Sequence, residues 1–382
     1  MRRIFTCVLA LWLLLAAALP VGAAEPEVAG KSALLMDAAT GMVLYEKNAH
    51  EPLPPASVTK VMTMLLIMEA IDSGKIGWND AVTASETAAA KGGSQIYLKV
   101  GETMTVTQLL KAIAVSSAND AACAMAEYLA GSEQAFVGEM NRRAAELGME
   151  HTHFVNCTGL DDEPQAAEHL TCAYDIALMS RQLLVHHPDI KQFTTIWMDT
   201  LRDGSFGLAN TNKLVRFYQG ATGLKTGFTA KAGYCLSASA QRDGMELIAV
   251  VLGAESSKDR FAACKQLLDQ GFAGFALVAP ETPQASVPVK LGVQTQVRAV
   301  PTQQLQLLID KQQRAEVSVQ VDLQPEVTAP VSQGQRLGTM TVRAGAQILA
   351  QVPLVAEIAV PRLTWWQVFG LVLRQIVMGK GA

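Results

Sequence analysis

The most informative segment of the chain is Pro54-Pro55-Ala56-Ser57-Val58-Thr59-Lys60, which leads into an apolar run ending at Met68. The prolines end any preceding element, and the run is apolar on nearly every face, which predicts a buried helix over 57–73. Ser57 and Lys60 are one helical turn apart, so the amine can reach the hydroxyl. Burial lowers a lysine pKa, which leaves a neutral amine to take the serine proton. In the structural alternative, Ser57 only caps the helix and Lys60 extends to water.

A second polar segment, Ser116-Ser117-Ala118-Asn119-Asp120, interrupts the helical pattern over 107–130. Polar residues between apolar helices are typical of a loop that faces a cleft. Ser117 could relay a proton to a leaving group, and the Asn119 amide could hold a substrate carbonyl while it contacts Lys60. The alternative is a Ser/Asn cap that opens a helix at Asp120.

The third segment is Thr222-Gly223-Leu224-Lys225-Thr226-Gly227-Phe228-Thr229, which predicts a strand. Its glycines let another backbone approach closely, so a peptide could bind along it as an added strand. The peptide's terminal carboxylate would then meet Lys225 and Thr226. The alternative is an edge strand with a solvated lysine. All three segments together supply a nucleophile, two candidate bases and a carboxylate-binding strand, and so predict acyl transfer through a serine ester.

The rest of the first 278 residues predicts strands at both ends and helices between them. Hairpins are expected over 32–46 and over 234–253, the second around the Asp243-Gly244 turn. Helices are expected over 57–73, 107–130, 132–147 and 171–186. This arrangement favours one mixed sheet, closed by the two chain ends, with a helical cluster beside it.

The pattern changes after Phe275, where prolines mark a linker and alternating segments such as 316–322 and 339–343 predict half-buried strands. We expect a small all-β module there.

The last segment, 362–382, places its polar residues on one narrow arc of a helix, and its apolar stretch is far below the roughly 20 residues that cross a bilayer. It is typical of an in-plane membrane helix with Trp365 and Trp366 at the interface. The alternative is a helix packed on the protein's own core.

The N-terminus and the composition indicate the compartment. Arg2 and Arg3 precede an apolar run and a small-residue site, so residues 1–24 are expected to be a secretory signal peptide, with an uncleaved anchor as the alternative. The five cysteines beyond the signal are expected to be core residues, although one disulfide is possible. Neither cysteines nor histidines have metal-ligand spacing, so no metal and no cofactor is expected. A net charge of -4 in 382 residues gives no sign of nucleic-acid binding.

The three motifs, S-x-x-K, S-x-N and K-T-G, occur here in the order of the signature of class A β-lactamases and penicillin-binding proteins. The chain resembles the low-molecular-weight penicillin-binding proteins, D-alanyl-D-alanine carboxypeptidases of the penicillin-binding-protein-5 type (peptidase family S11). Further support comes from His153-Phe154-Val155-Asn156 and Thr158-Gly159-Leu160-Asp161. Cys157 replaces a proline of many relatives, and Ala118 a glycine.

The resemblance implies an α+β fold. A β-lactamase/transpeptidase-like domain (25–278), with an antiparallel sheet flanked by helices and a helical cluster, would be followed by an all-β domain (283–360) and an amphipathic helix (362–382). It also implies an exported protein at the outer face of the cytoplasmic membrane, held to the membrane surface by that helix. The protein partner of the β domain is left open.

The resemblance further implies a serine carboxypeptidase that removes the terminal D-alanine from peptidoglycan stem pentapeptides in cell-wall biogenesis, and that β-lactams acylate. Ser57 would be the nucleophile and Lys60 the general base, with Ser117 and Asn119 lining the cleft. Lys225, Thr226 and Gly227 would bind the carboxylate side of the substrate. The backbone N–H groups of Ser57 and Phe228 would form the oxyanion hole. Arg260 would help to orient the substrate carboxylate.

Two other functions fit part of this evidence. A class A β-lactamase needs a glutamate-activated water, and Glu163 and Glu168 lie in the right region without a convincing motif. A non-catalytic wall-binding protein would bind through the β module, but the intact Ser57, Lys60 and Lys225 argue against it.

Overall fold

The computed structural model describes residues 28–162, 164–281 and 284–378. The expected signal peptide, 1–24, lies outside the described residues, and so does position 283, the expected start of the β module.

The described chain forms seventeen strands and ten helices, with additional 3-10 turns at Ala56–Thr59, Pro164–Glu168, Pro188–Ile190 and Lys311–Glu316. The strands are β1 Ser32–Asp37, β2 Val43–Lys47, β3 Ala81–Thr83, β4 Thr103–Thr105, β5 Met198–Leu201, β6 Phe206–Ala209, β7 Ala221–Thr229, β8 Gly233–Arg242, β9 Met245–Ala254, β10 Phe275–Val278, β11 Ala285–Lys290, β12 Gln296–Pro301, β13 Leu307–Asp310, β14 Val317–Leu323, β15 Val327–Thr328, β16 Arg336–Ala344 and β17 Gln347–Ala356. The helices are α1 Lys60–Asp72, α2 Glu86–Ala89, α3 Val106–Ser116, α4 Asn119–Ala130, α5 Glu133–Glu146, α6 Ala173–His186, α7 Lys191–Thr194, α8 Leu214–Phe217, α9 Ser257–Gly274 and α10 Trp365–Met378.

A five-stranded sheet in the order β2-β1-β9-β8-β7 forms the centre of the first domain. Both predicted hairpins are present, and Asp243 and Gly244 both have the left-handed φ that the turn between β8 and β9 requires. Each neighbouring pair runs antiparallel, so the mixed sheet expected from the element pattern is wrong and the antiparallel sheet implied by the resemblance is confirmed. The strand β7, which carries K-T-G, lies at an edge and has one open side.

Helices cover both faces of this sheet because β1 and β9 are apolar on both sides. Alternate residues such as Leu34 and Val250 join the core with α1, whereas Leu35 and Ala249 join a second core with α9. α1 is buried on every face and packs against α3, α4 and α6, as its all-round apolar sequence predicts. The α+β fold with a helical cluster is therefore confirmed, and the cluster places the start of α1 beside the edge strand β7.

A six-stranded sheet in the order β14-β16-β17-β12-β11-β15 forms the C-terminal domain around its own apolar core. The all-β module predicted from alternation is confirmed. Before it, β10 pairs with β13, so a β ladder as well as the proline-rich linker connects the two domains.

The chain's last described element is α10, where Trp365 is 89% exposed and Trp366 is 83% exposed. Both tryptophans therefore lie away from the protein's own core. Among the described helices, none has the length and apolar character needed to cross a membrane.

The five cysteines of the described chain are all buried, with free thiols. Cys123 and Cys235 both belong to the core that contains α1, as expected from their apolar neighbours.

Candidate active site

The Ser57 hydroxyl and the Lys60 amine meet at the start of α1. Ser57 lies in the 3-10 turn Ala56–Thr59, and its Oγ is 2.9 Å from Lys60 Nζ. Lys60 is fully buried, so the alternative of a lysine that extends to water is wrong. The capping alternative for Ser57 is wrong too, since Thr59 occupies the cap position of α1 and makes no side-chain cap bond. The tight 3-10 turn brings the two groups together in place of the regular helix expected there.

Burial changes the acid–base chemistry of Lys60. The apolar surroundings lower the pKa of Lys60 to about 7, although the Asp120 carboxylate favours the ammonium form. Lys60 Nζ also donates to the Thr158 carbonyl oxygen at 2.8 Å, which fixes the amine next to Ser57. A large share of the molecules therefore holds a neutral amine at neutral pH, and such an amine can accept the serine proton.

The Thr158 carbonyl is held by a tight turn. Asn156 Oδ1 accepts from the backbone N–H groups of Thr158 at 3.2 Å and of Gly159 at 2.7 Å. Gly159 has φ +81°, and a Cβ there would lie 1.8 Å from the Ala56 carbonyl oxygen. Only glycine allows this approach, so the Asn156–Gly159 turn packs directly on the nucleophile's own turn. The sequence indicated this segment only through the resemblance and gave no sign of its role beside Lys60.

His169 supports the same turn and was also missed. Its Nδ1 accepts from Val155 N–H at 3.1 Å, so the neutral ring carries its proton on Nε2 and donates to Thr59 Oγ1 at 2.7 Å. The Thr59 hydroxyl then donates to the Ala56 carbonyl at 2.8 Å. Burial, the nearby His153 and Lys60 lower the pKa of His169 to about 4, so the ring stays neutral and the bonding pattern holds at neutral pH.

The second motif joins the ends of α3 and α4. Ser117 ends α3 in a left-handed conformation (φ 64°) and is buried. Asn119 begins α4, where the cap residue is Ala118 without a side-chain bond, so the cap alternative is wrong.

The Asn119 amide was expected to contact Lys60, but its hydrogen bonds go to other groups. Asn119 Nδ2 donates instead to the Gly92 carbonyl at 2.7 Å, and Asn119 N–H donates to the Ser94 carbonyl at 2.7 Å. Its buried Oδ1 has no partner among the described residues. A buried unpaired acceptor is costly, and it offers a substrate N–H a hydrogen-bond partner.

The third motif lies on the open edge of the sheet. Lys225 is fully buried, which excludes the alternative of a solvated lysine, and its Nζ donates to the Thr226 carbonyl at 2.8 Å. Burial, together with the positive charges of Lys60 and Arg260, holds the pKa of Lys225 well below its usual value. Thr226 Oγ1 donates to Thr211 Oγ1 at 2.7 Å, which ties the strand to the segment that precedes α8.

Gly227 places this strand against the nucleophile. A Cβ at Gly227 would lie 2.6 Å from the Pro55 carbonyl oxygen and 3.0 Å from the Ser57 nitrogen. The next residue, Phe228, is exposed and its ring packs on Tyr234, 4.3 Å between centroids. The backbone segments of Ser57 and Phe228 thus come close together, as an oxyanion hole from their N–H groups requires.

Arg260 lies behind the K-T-G strand. Its Nη1 donates to the carbonyls of Gly227 at 2.8 Å and of Cys235 at 3.2 Å, and the guanidinium stacks over Phe261 and Tyr234. These bonds hold β7 and β8 in register, while the buried Nε has no partner among the described residues. Orientation of a substrate carboxylate by Arg260 stays a prediction, and its contacts give it a support role at Gly227.

The structure describes one of the two glutamates considered for a β-lactamase mechanism, Glu168. Glu163 lies outside the described residues, and Glu168 is exposed and lines a cavity of about 530 Å³ with Glu133 and His153. The residues that line this cavity include none from the three motifs. Within the described parts of the chain, no three His, Cys, Asp or Glu side chains group as metal ligands.

Comparisons with known proteins agree with this geometry. Residues 20–256 match the family described as D-alanyl-D-alanine carboxypeptidase (Peptidase S11), and residues 272–362 match the penicillin-binding protein 5 C-terminal domain. The chain is 44% identical over 334 residues to D-alanyl-D-alanine carboxypeptidase DacF of Bacillus subtilis, covering 86% of this chain and 85% of that protein.

Two solved structures extend the likeness to three dimensions. Penicillin-binding protein 5 from Haemophilus influenzae superposes with a TM-score of 0.76 at 28% identity, covering 89% of this chain and 100% of that one. Penicillin-binding protein D2 from Listeria monocytogenes, in an ampicillin-bound form, gives a TM-score of 0.59 at 33% identity, covering 65% of this chain and 99% of that one.

Proposed function

The chain belongs to the D-alanyl-D-alanine carboxypeptidase family, the S11 penicillin-binding serine peptidases, and from this premise we propose that it works through an acyl-enzyme on Ser57. The observation that carries the proposal is the 2.9 Å approach of Ser57 Oγ to a fully buried Lys60 amine. The substrate is a peptidoglycan stem pentapeptide, and the role is trimming of the cell wall.

In the proposed reaction, neutral Lys60 takes the proton of Ser57 while Oγ attacks the carbonyl carbon of the penultimate D-alanine. The negative oxygen that develops is stabilised by the N–H groups of Ser57 and Phe228. The C–N bond then breaks, and terminal D-alanine leaves with a proton relayed through Ser117. Water hydrolyses the ester, which frees Ser57 and releases the shortened peptide.

Substrate recognition is proposed to rest on the cleft walls. The K-T-G edge strand pairs with the peptide backbone, and Lys225 and Thr226 bind the carboxylate side. The partnerless Asn119 Oδ1 accepts a substrate N–H. A β-lactam has a carboxylate and a reactive carbonyl in comparable positions, so it acylates Ser57 and inhibits the enzyme. The ampicillin-bound relative supports this step.

The experiment combines a labelled penicillin with a product assay. The wild-type chain should carry one covalent label and release D-alanine from a soluble pentapeptide, and Ser57→Ala should abolish both. A matched serine variant away from the site, Ser132→Ala, should keep both. Retention of the label by Ser57→Ala would falsify the acyl-enzyme assignment, and rapid turnover of penicillin without D-alanine release would indicate a β-lactamase.

We also propose that the protein is exported and held at the outer face of the cytoplasmic membrane by α10. Its exposed tryptophan pair supports this location, because tryptophan favours the membrane interface. A chain truncated after Pro361 should appear in the soluble fraction and keep its rate on a soluble peptide. If the truncated chain stays with the membranes, another segment is the anchor.

A further inference from the structure

Two pairs of aromatic side chains lie at the two ends of the β5–β6 hairpin. At one end, Phe206 meets Tyr97 edge to face, with 6.4 Å between ring centroids, and at the other end Trp197 meets Phe217 at 6.0 Å. The outer member of each pair is widely exposed, 69% for Tyr97 and 73% for Phe217. We call these four residues the aromatic rim. The catalytic steps above use none of them.

The Tyr97 end is fixed to the second catalytic motif. Asp120, next to Asn119, accepts from the backbone N–H groups on both sides of Tyr97, Ile96 at 3.1 Å and Leu98 at 3.0 Å. From the hairpin, Arg202 Nη1 donates to the Ile96 carbonyl at 2.9 Å. Tyr97 itself has φ 57°, a conformation that is unfavourable for a bulky residue. Strain of this kind persists only where the surroundings impose it, and it is common at functional sites.

The Trp197 end is fixed to the third motif. The Trp197 carbonyl accepts from Asn210 N–H at 2.8 Å, and two residues later Asn212 Nδ2 donates to the Gly223 carbonyl of β7 at 2.8 Å. Thr211, between them, binds both Thr226 of K-T-G and the Val115 carbonyl at the end of α3. Phe217 ends α8, just before β7 begins. Both ends of the rim are thus hydrogen-bonded to segments that form the cleft.

The chemistry of the rim selects its ligand. At the Tyr97 end, the cation that lies over the Phe206 ring is Arg202, and it is paired with Glu102 at 2.7 Å, so this guanidinium adds no free charge to the ring surfaces there. The C–H faces of pyranose rings stack on such surfaces, whereas a charged peptide needs ionic partners. The hairpin strands of four residues span about 13 Å, a length that suits a short run of sugar units.

We propose that the aromatic rim binds the glycan strand to which the stem peptide is attached. This inference rests on the proposed function, since that function requires a peptide carried by a sugar polymer. The rim would hold the polymer while the peptide enters the cleft beside K-T-G, which raises the effective concentration of the peptide at Ser57.

The test compares one peptide in two forms: the free pentapeptide, and the same pentapeptide on uncrosslinked glycan chains. The variant is Tyr97→Ala with Phe217→Ala, which changes two exposed side chains. The control is Tyr128→Ala, an exposed aromatic residue on α4 outside the rim. Since an aromatic contact contributes about fivefold in affinity, the ratio of polymer KM to free-peptide KM should rise about tenfold or more in the double variant. It should not change in the control.

A second measurement separates this inference from the proposed function. Wild-type and variant proteins are sedimented with glycan chains stripped of their peptides, a measurement that needs no catalysis. The wild type should sediment with the glycan and the double variant should not. If KM rose by the same factor on both substrates in the double variant, the rim would bind the peptide and the proposal would be overturned. Equal sedimentation of the wild type and the double variant with the glycan would overturn it as well. If the wild type releases no D-alanine yet sediments with glycan, the proposed function fails while the glycan site stands.

Discussion

Acylation of Ser57 should follow the protonation state of Lys60, whose burial lowers its pKa to about 7. With that pKa, the neutral amine is about a tenth of the total at pH 6 and about nine tenths at pH 8. The protonated amine cannot accept the serine proton, so the second-order rate constant of acylation should rise about tenfold between these two pH values. Above pH 8 it should level off.

A lysine with an ordinary pKa would give a profile of different shape. With a pKa near 10.4, the neutral fraction would rise about a hundredfold between pH 6 and pH 8 and would continue to rise to pH 10. The position of the plateau therefore measures how strongly the site desolvates Lys60. The assay is rapid mixing with a fluorescent penicillin from pH 5.5 to 9.5 at constant ionic strength, with circular dichroism at each pH to confirm folding.

The control is His153→Gln, which removes an ionisable side chain close to His169 and leaves Lys60 in place. The midpoint should stay near 7 in this variant. A rate that still climbs tenfold per pH unit at pH 9 would refute a desolvated base. If the midpoint disappeared in His153→Gln, the titrating group would be His153 and not Lys60.

Two further predictions follow from the contacts around the site. Gly227→Ala should lower the acylation rate about a hundredfold with a small change in Tm, because its Cβ would lie 2.6 Å from the Pro55 carbonyl oxygen and displace the strand from Ser57. The control Gly138→Ala, on helix α5 with open space around it, should leave the acylation rate unchanged and raise Tm slightly, since alanine favours a helix more than glycine does. Equal acylation rates in the two variants would contradict the close approach. The folded chain lowers the pKa of His169 to about 4. Between about pH 6.5 and pH 4, only the unfolded chain therefore binds a proton at this histidine. The free energy of unfolding should fall by up to about 3 kcal/mol as the pH falls through this window. Urea denaturation at each pH should show that the free energy of unfolding falls less with decreasing pH in His169→Gln than in the wild type. A glutamine variant of the exposed His186 should show the wild-type fall. If the free energy of unfolding of all three proteins fell in parallel, His169 would not contribute.

The sequence predicted those parts of the site that depend on short separations. Ser57 and Lys60 are three residues apart, and an apolar run on all sides of Lys60 indicates burial without knowledge of the partners. The β8–β9 hairpin was likewise predictable, because Asp243-Gly244 is a local signal. Strand direction is not local, and the pattern of elements alone indicated a mixed sheet where β1 and β7–β9 pair antiparallel.

The supports of the site could not be predicted in the same way. Lys60 is fixed by the Thr158 carbonyl and Asn119 by the Gly92 carbonyl, and a backbone carbonyl has no signature in the sequence because each residue carries one. For this reason the sequence did not indicate that the Asn119 amide donates to the Gly92 carbonyl. His169 reaches Thr59 across 110 positions of the chain, and only the folded structure shows which pairs meet at such separations.

Two buried lysines in one cleft explain how the base can stay neutral while a substrate is bound. Burial lowers the pKa of both amines, and the positive charge of Lys60 lowers that of Lys225 further. A substrate carboxylate next to Lys225, as proposed above, favours the ammonium form of that residue. The ammonium of Lys225 in turn disfavours a second positive charge on Lys60. Binding of the carboxylate therefore favours the charged form of the lysine on the strand and the neutral form of the amine next to Ser57, which is the form that can act as the base.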